Sequence, residues 1–293
     1  MKRSGWKCCL LGAALAPASF TLALIAAQPA QPTPVETQDF ENIAAAAAAG
    51  WSGLRNTIDG NNFGFSIGTN FTGSATGNNE AGGTFARVAP LSYFADTNLG
   101  GAFTLDQSFS ASGELEYRNV MNNNNIVGIG YFDATQSSGP GRSFNFMGII
   151  LAENNSVNPD VFRFFAAASI VGTSNEILSA PTVEFPVDGD YRWFFDYDGL
   201  TRTLSASILN NAMQLLANRN INLSGIIGPV NFNAFGLSNG ELQGNGTNKA
   251  DIYIDNVVYS VVSAPFVGIP EPSALALFAL SLAGLLVLRR RPS

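Results

Sequence analysis

From residue 103 onward the chain alternates. Phe103, Leu105 and Phe109 share one side of an extended backbone, and Leu115 and Tyr117 face away from Glu114, Glu116 and Arg118. Short runs with the same two-residue period recur at 126–132, 144–151, 161–171, 191–197, 203–209, 232–237 and 252–262. Gly, Asn, Asp or Pro bounds each of them, and 122–125 and 196–199 are turn material, because Asn, Asp and Gly tolerate positive φ. A period of two is the mark of a strand with one buried face. The run 144–151 becomes apolar on both faces toward its end, which predicts a central strand covered on both sides. Helical periodicity is nearly absent. Residues 43–49 are alanine-rich, and Gly50 closes them after two turns, as a short helix or a packed coil.

Many evenly spaced strands and 22 phenylalanines predict an all-β fold, two packed sheets whose inward side chains interleave, over residues 39–263. Burying one such side chain contributes roughly 1.5–3 kcal/mol. The ends follow other patterns. Residues 1–27 run from basic (Lys2, Arg3, Lys7) through apolar to small, which is the order of a secretory signal peptide cut near Ala27. Cys8 and Cys9 would leave with it, removing thiol and disulfide chemistry. Residues 28–38, with Pro29, Pro32 and Pro34, read as a flexible lead-in, and 264–272 as a linker. Residues 273–288 carry no charge and would give roughly 24 Å of helix, a little short of the ~30 Å hydrocarbon core. Arg289, Arg290 and Arg291 then form a basic stop, so 273–293 is predicted as a transmembrane helix with its tail.

Charge narrows the choice of partners. The chain carries a formal −7 and no histidine. Six of its 15 basic residues lie in the two terminal segments, against one of its 22 acidic residues, so the span between holds nine basic residues and 21 acidic ones. Nucleic-acid binding needs a positive footprint, and none is present.

Pro270 and Pro272 hold Glu271 in extended or turn geometry that a processing enzyme can reach. Pro270-Glu271-Pro272, a short apolar helix and a terminal arginine cluster resemble the PEP-CTERM sorting signal of Gram-negative bacteria. The resemblance implies an exosortase as partner and a polypeptide held in the inner membrane facing the periplasm. It further implies later delivery to the cell surface or the extracellular matrix, alongside exopolysaccharide. Within the body, residues 185–209 (FPVDGDYRWFFDYDGLTRTLSASIL), 235–239 (FGLSN) and 251–257 (DIYIDNV) resemble strands of jelly-roll domains of the concanavalin A-like lectin and glucanase type. Asp39-Phe40-Glu41 with Trp51, taken with Asp255-Asn256-Val257, also resembles galactose-binding-like jelly rolls. The length of the body favours the first. The likeness is to a fold; joined to the sorting signal it makes polysaccharide the expected ligand, and jelly rolls often tie their first strand to their last with calcium, which makes Asp39, Glu41 and Asp255 the candidate ligands.

Without histidine, Ser-His-Asp, Cys-His and histidine-zinc arrangements are excluded. Carboxylate catalysis is what remains. Glucanases of the resembled type carry Glu-x-Asp-x-x-Glu on one strand, whereas Glu114-Leu115-Glu116 is followed by Asn119, so the pair reads as solvated surface acids and no enzyme activity is expected. Saccharide binding would use displayed aromatic rings. Trp51, Tyr131 and Trp193 are the candidates, although each also suits a core position and Trp193 alternates in phase with an inner face. Three functions follow in order: an exported polysaccharide-binding protein, a structural matrix or coat protein without a small ligand, and a glycoside hydrolase.

Overall fold

The computed structural model describes residues 34–58, 60–75, 77–86, 91–121, 126–136, 144–153, 161–171, 177–180, 183–226, 229–239 and 249–262. The signal segment 1–27, the turn 122–125, the sorting motif, the apolar segment 273–288 and Arg289 to Arg291 lie outside them. The early elements are β1 (Val35–Gln38), α1 (Ile43–Ala49), β2 (Trp51–Leu54), β3 (Asn62–Ile67), β4 (Asn79–Ala86) and β5 (Ser92–Asp96). The middle of the chain forms β6 (Phe109–Met121), β7 (Ile126–Phe132), β8 (Phe146–Glu153), β9 (Val161–Ser169), β10 (Ile177–Leu178) and β11 (Val183–Pro186). It ends with β12 (Asp190–Asp198), β13 (Thr203–Asn210), β14 (Leu215–Asn222), β15 (Ala234–Asn239) and β16 (Lys249–Ser260).

Two antiparallel sheets result, and the expected all-β sandwich is what the chain forms. Sheet A runs β14-β13-β12-β6-β16-β4-β3, with β1 also paired to β16. Sheet B runs β10-β9-β8-β7-β15-β5-β2, with β11 also paired to β9. Neighbours in sequence pair as hairpins in β12-β13-β14 and in β7-β8-β9. The last two strands behave otherwise: β15 inserts between β7 and β5, and β16 between β6 and β4. Each sheet is therefore closed at its centre by a strand made at the end of the chain.

The period of two is obeyed where it was read. In β12, Tyr191, Trp193, Phe195 and Tyr197 are buried while Phe194 and Asp196 are exposed. The inward rows of both sheets join in one core that includes Leu115, Tyr117, Ile129, Met147 and Trp193. The run 144–151 is buried throughout, as its two apolar faces require. Met147, Ile149 and Leu151 enter the inter-sheet core, and Phe146 and Ile150 enter a second cluster with Phe132, Phe144 and Phe165 on the far side of sheet B.

Two local expectations resolve. The alanine-rich segment is a helix, with Asn42 accepting a hydrogen bond from the Ala45 N–H at 3.0 Å and Gly50 closing it at φ 128°. The lead-in 28–38 is not flexible to its end. Val35 to Gln38 pair with Ser260 to Val257 of β16, because the second half of β16 has passed the end of β4 and offers a free row of backbone groups.

Candidate functional site

The outer face of sheet A carries the polar half of each alternating strand. Glu114 of β6 lies opposite Arg192 of β12 on one side and Asp255 of β16 on the other. The register of β16 with β4 ends at Ile254 and Ala81, and the next positions on the two strands are Asp255 and Glu80, close enough for Glu80 to act on Asp255 electrostatically. Four strands thus set Glu80, Asp255, Glu114 and Arg192 in one cross-strand row. Arg192 Nη2 donates to Glu114 Oε1 at 2.7 Å. A register shift between Asp255 and Val258 puts Asn256 at φ 47°, a bulge that re-aims its side chain outward. The Asn256 amide donates to Glu114 Oε2 at 2.8 Å and to Ser74 Oγ at 2.7 Å. Both oxygens of Glu114 are therefore engaged.

Beside this row opens a cavity of about 260 Å³ bordered by Glu114, Arg192, Phe194, Leu209, Met213 and Asn256. Phe194 is 39 % exposed although it is an aromatic residue in a central strand. Its direct cross-strand partners, Ser112 and Ser207, are small and polar, and Leu209 and Met213 border the same cavity. An apolar wall over a few convergent hydrogen-bonding groups is the usual composition of a small-ligand site.

Residues 68–75, which follow β3, cover the other end of the row. Phe71 packs on Tyr253 with ring centroids 4.6 Å apart, and the Arg118 guanidinium lies 3.8 Å from the Phe71 centroid. Thr72 N–H donates to Glu80 Oε1 at 2.6 Å. Gly73, at φ +66°, comes so close to Asp190 that a Cβ there would sit 2.7 Å from its carboxylate. Under this cover carboxylates hold their protons more tightly. Burial pushes Asp255 up from the ordinary 3.8 to about 7, against the Asn256 N–H and Ser74 and with help from Glu114 and Glu80. Burial likewise pushes Glu116 from 4.5 to about 7; Arg118 opposes the shift, while Asp190, Asp188 and Glu80 add to it.

Most of the residues singled out from sequence have other roles. Trp51, Tyr131 and Trp193 are at most 2 % exposed, so they are core rings and not a saccharide platform. Their polar tips are used internally. Trp51 Nε1 donates to Tyr259 Oη at 3.2 Å, Tyr131 Oη lies 3.0 and 2.9 Å from the Ser110 and Ser260 carbonyls, and Trp193 Nε1 donates to the Glu114 carbonyl at 3.3 Å. Asp39, Glu41 and Asp255 are not brought together. Asp39 is exposed and caps the Glu41 N–H at 3.1 Å, Glu41 takes the Asn79 N–H at 3.0 Å, and Asp255 is buried in the row. Among the described residues, no group of three or more acidic side chains is placed to hold a metal ion. Glu114 and Glu116 are not solvated surface acids. They are buried, one paired with Arg192 and the other with Arg118 at 3.3 Å. Arg192, Phe194 and Asn256 were missed. A phenylalanine in the polar phase of Asp-Tyr-Arg-Trp-Phe-Phe-Asp was the one signal that could have marked the spot.

Comparison with known proteins bears on both ends of this picture. The family model of the PEP-CTERM protein-sorting motif matches residues 268–291, which marks an exported protein sorted by an exosortase. No curated protein matches the chain in sequence. Among solved structures, a Shewanella oneidensis protein of unknown function is similar at 14% identity and a TM-score of 0.51, with 88% of this chain and 100% of that one covered. The basic winged bean lectin with Tn-antigen is similar at 13% identity and a TM-score of 0.42, with 79% and 100% covered. The alginate lyase of Klebsiella pneumoniae is similar at 11% identity and a TM-score of 0.37, with 53% and 60% covered. The likeness to the Shewanella protein is one of fold.

Proposed function

We propose that this exported protein works outside the cytoplasm as a surface or matrix component whose sandwich binds polysaccharide in the cavity beside Glu114. Residues 273–293 hold it in the membrane until the exosortase acts at Pro270, Glu271 and Pro272, and the released or transferred body then meets exopolysaccharide. One observation carries the binding reading: the exposed Phe194 lines one cavity with Leu209, Met213, Arg192 and Asn256. Sugar rings offer both an apolar face for a phenyl group and hydroxyls for guanidinium and amide. Binding without turnover is the simpler reading, since both Glu114 oxygens are already bonded.

The test is retention of the full-length protein on immobilised exopolysaccharides, with Phe194→Ala and Arg192→Ala as variants. Both variants should lose at least about tenfold in affinity, roughly 1.4 kcal/mol each, with unchanged circular dichroism. Absence of binding to any polysaccharide, the producing strain's own included, overturns the reading. A second reading, a self-associating matrix protein, is favoured by β14, an edge strand of sheet A that exposes Leu215 and Leu216. Assembly that rises with concentration and needs no polysaccharide would support it.

A further inference from the structure

The row on sheet A is unbalanced. It holds three carboxylates and one guanidinium, and Arg192 is spent on Glu114. Glu80 and Asp255, adjacent across β4 and β16, are each 1 % exposed. Each has one bonded oxygen: Glu80 Oε1 takes the Thr72 N–H, and Asp255 Oδ1 takes the Asn256 N–H at 2.7 Å. The second oxygen of each, Glu80 Oε2 and Asp255 Oδ2, is buried without a hydrogen-bond partner. The Thr72 hydroxyl, in the residue whose N–H reaches Glu80, is also buried and unpartnered. An orphaned buried carboxylate oxygen is destabilising, and like charges on paired strands repel. Two orphaned carboxylate oxygens and an orphaned hydroxyl at one end of the row, with the Thr72 N–H already on Glu80, call for something positive beside them.

We infer that Glu80, Asp255 and Thr72 bind a divalent cation of the calcium type beneath residues 68–75. Two carboxylates match a charge of +2, and the donors are all hard oxygens, which suit calcium and not zinc or copper. Carboxylates, a hydroxyl, loop carbonyls and water are the ligand classes calcium accepts in irregular geometry. The ion would pin the β3–β4 loop to β4 and β16. Through Ser74, Asn256 and Glu114 that loop adjoins the cavity wall, but the inference does not depend on what the cavity binds.

Full-length protein freed of metal with a chelator is titrated with calcium chloride, and in parallel with magnesium chloride, by calorimetry and thermal melting. One calcium per chain and a saturable rise in Tm of about 5 °C or more are expected. Glu80→Gln and Asp255→Asn should each weaken calcium at least about tenfold. Thr72→Val guards against a folding artefact. It should leave the metal-free Tm equal or higher, because it replaces an orphan hydroxyl with a methyl of the same size, yet still weaken calcium. A Tm indifferent to calcium, with Glu80→Gln more stable than the parent in metal-free buffer, overturns the inference.

Discussion

The indole of Trp193 fills the space that a side chain at Gly113 would occupy. A Cβ at position 113 would lie 3.0 Å from Trp193 Cζ2 and 2.9 Å from Val257 Cγ1. The two residues are direct partners across β6 and β12. Gly113, between Ser112 and Glu114, thus makes room for one of the two tryptophans of the core, and both Gly113 and Trp193 border the cavity. Gly113→Val should destabilise by about 1–3 kcal/mol through overpacking. Denaturant melts and the near-ultraviolet circular dichroism of tryptophan would report it, and an unchanged midpoint would refute the packing account.

Trp51 and Phe194 should respond in opposite ways. Trp51 touches Phe40, Phe94, Phe235 and Tyr259, with centroid distances of 4.8 to 6.4 Å, and bonds the Tyr259 hydroxyl. Trp51→Ala should cost about 3–5 kcal/mol and affect ligand binding only by unfolding the protein. Phe194→Ala should move stability by about 0.5 kcal/mol or less while removing polysaccharide retention. Equal effects of the two on Tm would show that Phe194 is a core residue.

Stability should fall as pH rises through neutrality in calcium-free buffer. In the folded state Glu116 keeps its proton up to about 7, above its ordinary 4.5, because it is buried beside Asp190, Asp188 and Glu80 and only partly relieved by Arg118. A raised carboxylate pKa means that the folded state binds more protons between those two values. The stabilisation is then complete below about 4.5 and lost as pH climbs past about 7. Denaturant midpoints from pH 4 to 8 should decline across that window, and Glu116→Gln should flatten the decline. A slope untouched by Glu116→Gln would assign it to other groups.

Processing at the C-terminus should depend on the prolines. Proline lacks a backbone donor and disfavours helix and sheet, and Pro270 and Pro272 flank Glu271. Pro270→Ala with Pro272→Ala removes both restraints, so the peptide containing Arg289 to Arg291 should persist in cells, whereas the parent loses it. Mass spectrometry of the C-terminal peptide decides: a tail removed equally from both chains would leave the prolines without a role.

What the linear chain determined follows from local rules. Alternation is written into each strand separately, so the all-β sandwich, the doubly apolar run 144–151, the phase that buries Trp193 and the terminal sorting motif were all legible from residue order. Strand partners were decided by the tertiary structure. Whether Glu114 faces solvent or a buried row depends on β16, whose Asn256 comes 142 residues later and which inserts beside β6. The same long-range register brings Asp255 to the end of β4 beside Glu80 and turns Asn256 outward at a bulge, where it meets Ser74. Trp51 and Tyr131 went into the core for a related reason: the hydroxyl and carbonyl groups that satisfy their polar tips come from Tyr259 and Ser260, residues of the closing strand. Periodicity says which side of a strand is wet in principle; the partners that sheet closure supplies decide which side is wet in fact.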